Sequence, residues 1–193
     1  MAKKKYVTRP SVAQLEAELK RIRYRSQYAS VLKSTVYALV IVAAFAILVA
    51  TLWLPVLQIY GSSMNPTLYD GDILVSVKSS DFHHGDVVAF YYNNKILVKR
   101  VIAVQGEWVD IDDEGNVYVN EQKIDEPYVS EKAKGECNIE LPYQVPDSRI
   151  FVMGDHRNVS IDSRSTSIGC VGDEQIVGKL VYQIWPLSKL GSV

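Results

Sequence analysis

Cysteine and histidine are scarce in this chain, with two of the first and three of the second in 193 residues. No Cys/His spacing resembles a metal site, so neither a metal nor another cofactor is expected. Cys137 and Cys170 make an even count compatible with one bridge, and their spacing does not decide it. The apolar setting of Cys170, beside Ile168 and Val171, favours a buried free thiol. Internal repeats and low-complexity segments are absent. With 48% hydrophobic and 22% charged residues, an intrinsically disordered chain is excluded.

The most informative absence is that of charge. From Ser34 to Tyr69 there is no Asp, Glu, Lys, Arg or His. The most apolar part, Val36–Leu54, has the roughly 20 residues that a bilayer-crossing helix needs. A buried core helix of this length should show polar punctuation. A cleavable signal has a shorter apolar region and begins nearer the N-terminus. The run reads as a retained transmembrane helix. The basic residues before it are Lys3, Lys4, Lys5, Arg9, Lys20, Arg21, Arg23, Arg25 and Lys33, against Glu16 and Glu18, which makes +7; a total of −1 leaves −8 for the rest. Basic flanks stay in the cytoplasm. The expected layout is a cytoplasmic, helical basic segment (1–34), a membrane helix (35–55) and an extracytoplasmic β-rich domain (56–193), single-pass in the cell membrane. Trp53 and Tyr60 then stand where interfacial aromatics belong.

Within the first segment, Val12, Leu15, Leu19 and Ile22 recur at helical steps behind Pro10 and Ser11. After Pro55 the pattern turns to strands: 73–77, 86–92, 96–104, 109–111, 117–119 and 150–153, rich in Val, Ile and Tyr. Asp113-Glu114-Gly115-Asn116 between two alternating runs signals a hairpin. Residues 121–146 are polar and weakly periodic, and read as a loop-rich insertion.

Three segments carry candidate chemistry. Gly61-Ser62-Ser63-Met64-Asn65-Pro66-Thr67-Leu68 describes a tight turn able to present a hydroxyl and a backbone N–H together. In Ile96-Leu97-Val98-Lys99-Arg100-Val101-Ile102, strand alternation puts Lys99 on one face with Leu97 and Val101. Desolvation there would lower the lysine pKa and let a neutral amine accept a proton. Gly154-Asp155-His156-Arg157-Asn158-Val159-Ser160-Ile161-Asp162-Ser163-Arg164 is dense enough in Asp, Arg and Ser to suggest a hydrogen-bonded network. His83 and His84 read as part of a solvated turn.

Behind one membrane span, and in this order, these segments resemble the type I signal peptidases of bacteria, the Ser/Lys-dyad leader peptidases, in a Gram-positive-like form. Gly169-x-Val171 and Val177-Gly178-Lys179 are also similar to that family. The resemblance implies a mainly β catalytic domain, of the fold shared with the SOS-response repressors, preceded by one N-terminal transmembrane α-helix. It implies a membrane-bound serine endopeptidase that removes N-terminal signal peptides from exported preproteins. The implied partners are preproteins with small residues before the cut, the lipid bilayer and the secretion translocon; no nucleic acid is expected.

Carried over by position, Ser63 would be the nucleophile and Lys99 the general base. Met64 would pack beside the base and line the groove. Ser160 would hydrogen-bond the lysine amine, Asp162 and Arg164 would pair to hold their loop, and the Ser63 N–H would be an oxyanion donor. Three positions depart from the family pattern. Gly61 stands where some members carry a second, hydroxyl oxyanion donor; His156 replaces an Asn; Ala103 replaces a Gly. A repressor-like self-cleaving protein would lack the membrane span and Pro66-Thr67-Leu68. A silent assembly factor for pili would not need Ser63 and Lys99.

Overall fold

The computed structural model describes residues 10–193. The expected basic cluster Lys3, Lys4, Lys5 and Arg9, and the side chains of residues 50–53 including Trp53, lie outside the described residues. The chain divides after Val49 into two compact units.

One helix, α1 (Val12–Trp53), carries the basic segment from Val12 onward and runs without a break through the apolar stretch to Trp53. Its start is a capping box: the Ser11 hydroxyl accepts from Gln14 N at 3.4 Å, and Ser11 N donates back to Gln14 Oε1 at 3.0 Å. It stops just before Leu54-Pro55, as expected of a residue pair that disfavours continued helix. In the apolar part Val36, Leu39, Ile41 and Phe45 point in different directions around the helix, and all are exposed. An exposed helix that is apolar all round fits a hydrocarbon environment rather than water.

The second unit is β. Its strands are β1 (Val56–Gln58), β2 (Ile73–Val77), β3 (Val87–Tyr92), β4 (Lys95–Ala103), β5 (Trp108–Ile111), β6 (Val117–Val119), β7 (Gln122–Lys123), β8 (Tyr143–Gln144), β9 (Arg149–Met153), β10 (Val171–Gly172), β11 (Ile176–Trp185) and β12 (Gly191–Ser192). The larger sheet runs β1-β2-β11-β3-β4-β9-β10 with β12 on β11; the smaller runs β7-β6-β5-β8. Each pairing between neighbours is antiparallel. All six strands expected from sequence are present within a residue or so at either end, and the expected hairpin joins β5 to β6.

β11, the longest strand, is not among those expected. Bulges between Ile176 and Gly178, Leu180 and Tyr182, and Gln183 and Trp185 reset its register against β2 and β3. Each bulge breaks the two-residue alternation by which a strand is recognised. Gly178 is required there, because a Cβ would lie 2.8 Å from the carbonyl oxygen of Val77.

Apolar residues fill both faces of β4. Leu97 and Val101 belong to a cluster with Val88, Phe90 and Val152, while Ile102 joins Phe151, Met153 and the inward residues of the smaller sheet. A third cluster gathers Met64, Leu68, Leu74, Val87 and Leu180. β4 is therefore the rigid centre on which the candidate site is hung.

Candidate active site

Ser63 sits in the turn-rich connection between β1 and β2. Two apolar side chains pin this segment from below, Met64 (2% exposed) and Leu68 (1%), and Leu68 N closes a turn onto Met64 O at 2.9 Å. Gly61 lies at φ +91°, a conformation costly for any residue with a Cβ. Its N–H donates to Asp70 Oδ1 at 2.8 Å. Half-buried, Ser63 is held at the edge of the core.

Lys99 comes to this serine from the middle of β4. Its Nζ donates to Ser63 Oγ at 2.8 Å and to Val98 O at 3.0 Å. The residue is 3% exposed, stands opposite Val88 on β3, and shares its strand face with Leu97 and Val101, as expected. Burial lowers its pKa from 10.5 to about 8; Asp162 and Asp155 pull it back up, and Arg164 adds to the lowering. A lysine in this setting is partly neutral near pH 8 and can accept a proton.

Two ion-pair networks bring the third segment to this pair. Arg100, next to Lys99, donates from Nε to Asp155 Oδ1 at 2.9 Å and from Nη2 to Oδ2 at 2.7 Å. Thr67 Oγ1, from the serine turn, donates to the same Oδ2 at 2.5 Å. Serine turn, lysine strand and Asp155 loop thus meet on one carboxylate. In the second network Asp162 accepts from Arg164 Nε at 2.8 Å, Arg164 Nη2 at 2.9 Å and Gly154 N at 2.9 Å. The expected Asp162/Arg164 pair is present, and both side chains are fully buried.

Ser160 differs from expectation. Its hydroxyl donates to Asp162 Oδ2 at 2.7 Å, and the Lys99 amine finds Ser63 Oγ and Val98 O instead. The hydroxyl proton goes to the buried carboxylate, and among the described residues no hydrogen bond joins Ser160 to the Lys99 amine. Asp162 links the two residues through its field on Lys99.

Sequence reasoning misses several supports. Thr67, Arg100 and Asp155 stand inside the motifs, but nothing in their spacing says that they meet. Glu126 lies in the polar insertion yet is fully buried against Arg157, with Tyr128 OH donating to it at 3.3 Å. Arg100 also stacks 4.1 Å from the Tyr128 ring centroid. A lone acidic residue in a polar stretch gives no sign that it will be buried. Cys137 and Cys170 are both free, and Cys170 is buried, which pushes its thiol up to about 11. His84 is half-exposed and 2.7 Å from Glu107 Oε2, in keeping with a solvated turn.

A groove of ≈ 550 Å³ opens at Ser63 and Lys99, bordered by residues 56–61 on one side and 94–99 on the other. β1 pairs with β2 alone. β9 covers β4 only from Arg100 onward. Both banks are therefore strand edges with unpaired backbone groups, and Met64 forms part of the lining as expected. Nothing among the described residues accepts from the Ser63 N–H, which is free for an incoming oxygen.

Residues 32–185 match the family described as signal peptidase, peptidase S26. Signal peptidase I of Bacillus licheniformis is 32% identical over 168 residues, 80% of this chain and 89% of that protein. Signal peptidase IB of Staphylococcus aureus (strain COL) is 38% identical over 151 residues, 68% of this chain and 78% of that protein. A solved signal peptidase I from Enterococcus faecalis V583 aligns over 52% of this chain and 97% of its own, at 28% identity and a TM-score of 0.44. With its family match spanning most of its length and a serine and a lysine in contact at the head of a strand-edged groove, the chain belongs to the signal peptidase family, peptidase S26.

Proposed function

We propose that the protein is a membrane-anchored serine endopeptidase that removes signal peptides from exported preproteins, with Ser63 as nucleophile and Lys99 as general base. The 2.8 Å approach of a buried Lys99 amine to Ser63 Oγ carries this reading. The neutral amine takes the Ser63 proton as Oγ attacks the scissile carbonyl. The Ser63 N–H receives the oxyanion. The lysine ammonium then protonates the departing amine, and water releases the acyl chain by the same steps in reverse order of roles. Met64 sets the floor beside the base, Ser160 and Arg164 fix Asp162, and Asp162 tunes Lys99.

A preprotein enters as an extended strand between β1 and β4. Side chains alternate along a strand, so the first and third residues before the cut face the same wall of the groove. A wall close to that strand selects small residues at both positions. The N-terminal segment remains cytoplasmic and the β unit external, as the charge split favours; the secretion translocon delivers the substrate.

The test is incubation of the detergent-solubilised protein with a preprotein, following the shortened product. Ser63→Ala and Lys99→Ala abolish cleavage while Ser62→Ala retains most of it. Full activity in Ser63→Ala refutes the assignment. Protease added to spheroplasts attacks loops within 121–146 and spares the N-terminal segment; the reverse pattern inverts the topology.

A further inference from the structure

The Ser63 amide is one half of a peptide whose other half is held by an imidazole. The Ser62 carbonyl accepts from Asn65 N at 3.1 Å and lies 3.3 Å from Nδ1 of His156. The backbone N–H of His156 donates to the following carbonyl, that of Ser63, at 3.1 Å. A single residue thus engages the carbonyls on either side of the Ser63 Cα. In a planar trans peptide, C=O and N–H point in opposite directions. Fixing the Ser62 oxygen toward His156 therefore fixes the Ser63 N–H away from it. That N–H has no acceptor among the described residues, and Ser63 lines the groove together with Lys99. A hydrogen bond to the carbonyl also polarises the peptide and strengthens its N–H as a donor.

We propose that His156 is a positioning residue for catalysis: its Nδ1–H, donating to Ser62 O, aims and polarises the Ser63 N–H that receives the oxyanion. The role rests on the Ser63/Lys99 reading of the site. It needs a proton on Nδ1, which the Nδ1–H tautomer and the imidazolium both supply. The surroundings of the turn make such help matter. Position 61 has no side chain to donate, and the Gly61 N–H is already committed to Asp70. With no hydroxyl at position 61, the hole leans on the Ser63 N–H, and the direction of that donor matters.

The experiment is steady-state cleavage of a preprotein by the full-length protein in detergent, with His156→Ala, His156→Asn and Ser63→Ala beside the wild type. His156→Ala keeps the backbone bond to Ser63 O, so the turn stays tied. Its kcat falls about tenfold, the worth of one hydrogen bond felt in the transition state. KM and the alkaline rise of the pH profile stay where they are. His156→Asn recovers most of the loss, because an amide N–H reaches the same carbonyl. Wild-type kcat in His156→Ala, a defect confined to KM, or an Asn variant no better than Ala overturns the proposal. So does the disappearance of an ionisation from the pH profile of His156→Ala, which makes the imidazole itself a base. Normal His156→Ala beside an inactive Ser63→Ala removes His156 alone; an active Ser63→Ala removes the dyad and His156 with it.

Discussion

Gly154 lies against Ser63 so closely that a Cβ on the glycine would stand 2.6 Å from the Ser63 carbonyl oxygen and would also overlap the Ser160 side chain. The constraint is one of space and not of backbone angle, since Gly154 is not among the positive-φ glycines. Gly154→Ala must push the serine turn, the Ser160 loop or both. A displacement on the order of 1 Å at reacting groups costs about 100-fold in rate. The alanine variant is expected to lose at least about that much kcat/KM and about 1–3 kcal/mol of stability. Preprotein cleavage and urea unfolding measure the two; wild-type activity shows that the loop can yield.

The pKa of about 8 for Lys99 sets the pH dependence expected of it as the proposed base. Only the neutral amine accepts the Ser63 proton, so activity rises with pH, about tenfold per unit below pH 8, and levels off above it. At pH 7 about one molecule in ten is competent. Burial, the dominant cause, outweighs the opposing fields of Asp162 and Asp155. Lys99→Arg stays inactive throughout because a guanidinium keeps its proton beyond about pH 12. A kcat/KM profile centred near 10.5 would mean that the buried lysine is not the titrating base.

The same shift predicts a stability change. Lys99 is the unusual case in which folding lowers a lysine pKa, so between pH 8 and 10.5 the unfolded chain holds a proton that the native state has released. Stability conferred by the wild-type residue therefore rises with pH across that window, and the penalty is complete below pH 8. Its size is on the order of 3 kcal/mol. Lys99→Met is expected to be more stable than wild type at pH 7, with the difference shrinking toward pH 10.5. Denaturant curves at both pH values check the sign; a variant less stable at pH 7 contradicts it.

Much of this architecture is legible in the sequence, and the failures have physical causes. β4 announces itself through aliphatic residues around Lys99, and the serine turn through small residues and proline. α1 shows because an uncharged run of that length suits hydrocarbon far better than water. β11 hides because bulges erase its alternation. The resemblance pairs Ser160 with the Lys99 amine, whereas its hydroxyl goes to Asp162; sequence names the members of a polar network but not how they connect. Gly61 reads as a missing donor, and its φ of +91° adds that a serine there would be strained whatever space it finds. The insertion reads as a polar loop in sequence, yet it delivers the buried Glu126.

Arg157 and Glu126 have fully buried side chains and face each other. Removing one member leaves an uncompensated charge in the interior. Arg157→Met is expected to destabilise by about 3–5 kcal/mol, and the double change with Glu126→Leu to restore most of that loss. Thermal and urea unfolding of the two variants provide the comparison. If the double variant is no better than the single, the hydrogen bonds of the arginine to Gly154 O and its surroundings matter more than the pairing.

The two unpaired strand edges that bound the groove have a consequence for timing. Main-chain amides are the same in every polypeptide, so edges that bind them read conformation before they read sequence. A segment already in a helix or sheet has spent those amides on itself and offers nothing to either bank. On the proposed extended binding, the enzyme is a sensor of unfoldedness around the cut: a preprotein is processed while its cleavage region is still a free, extended thread, and a region that folds first is out of reach however well its side chains fit.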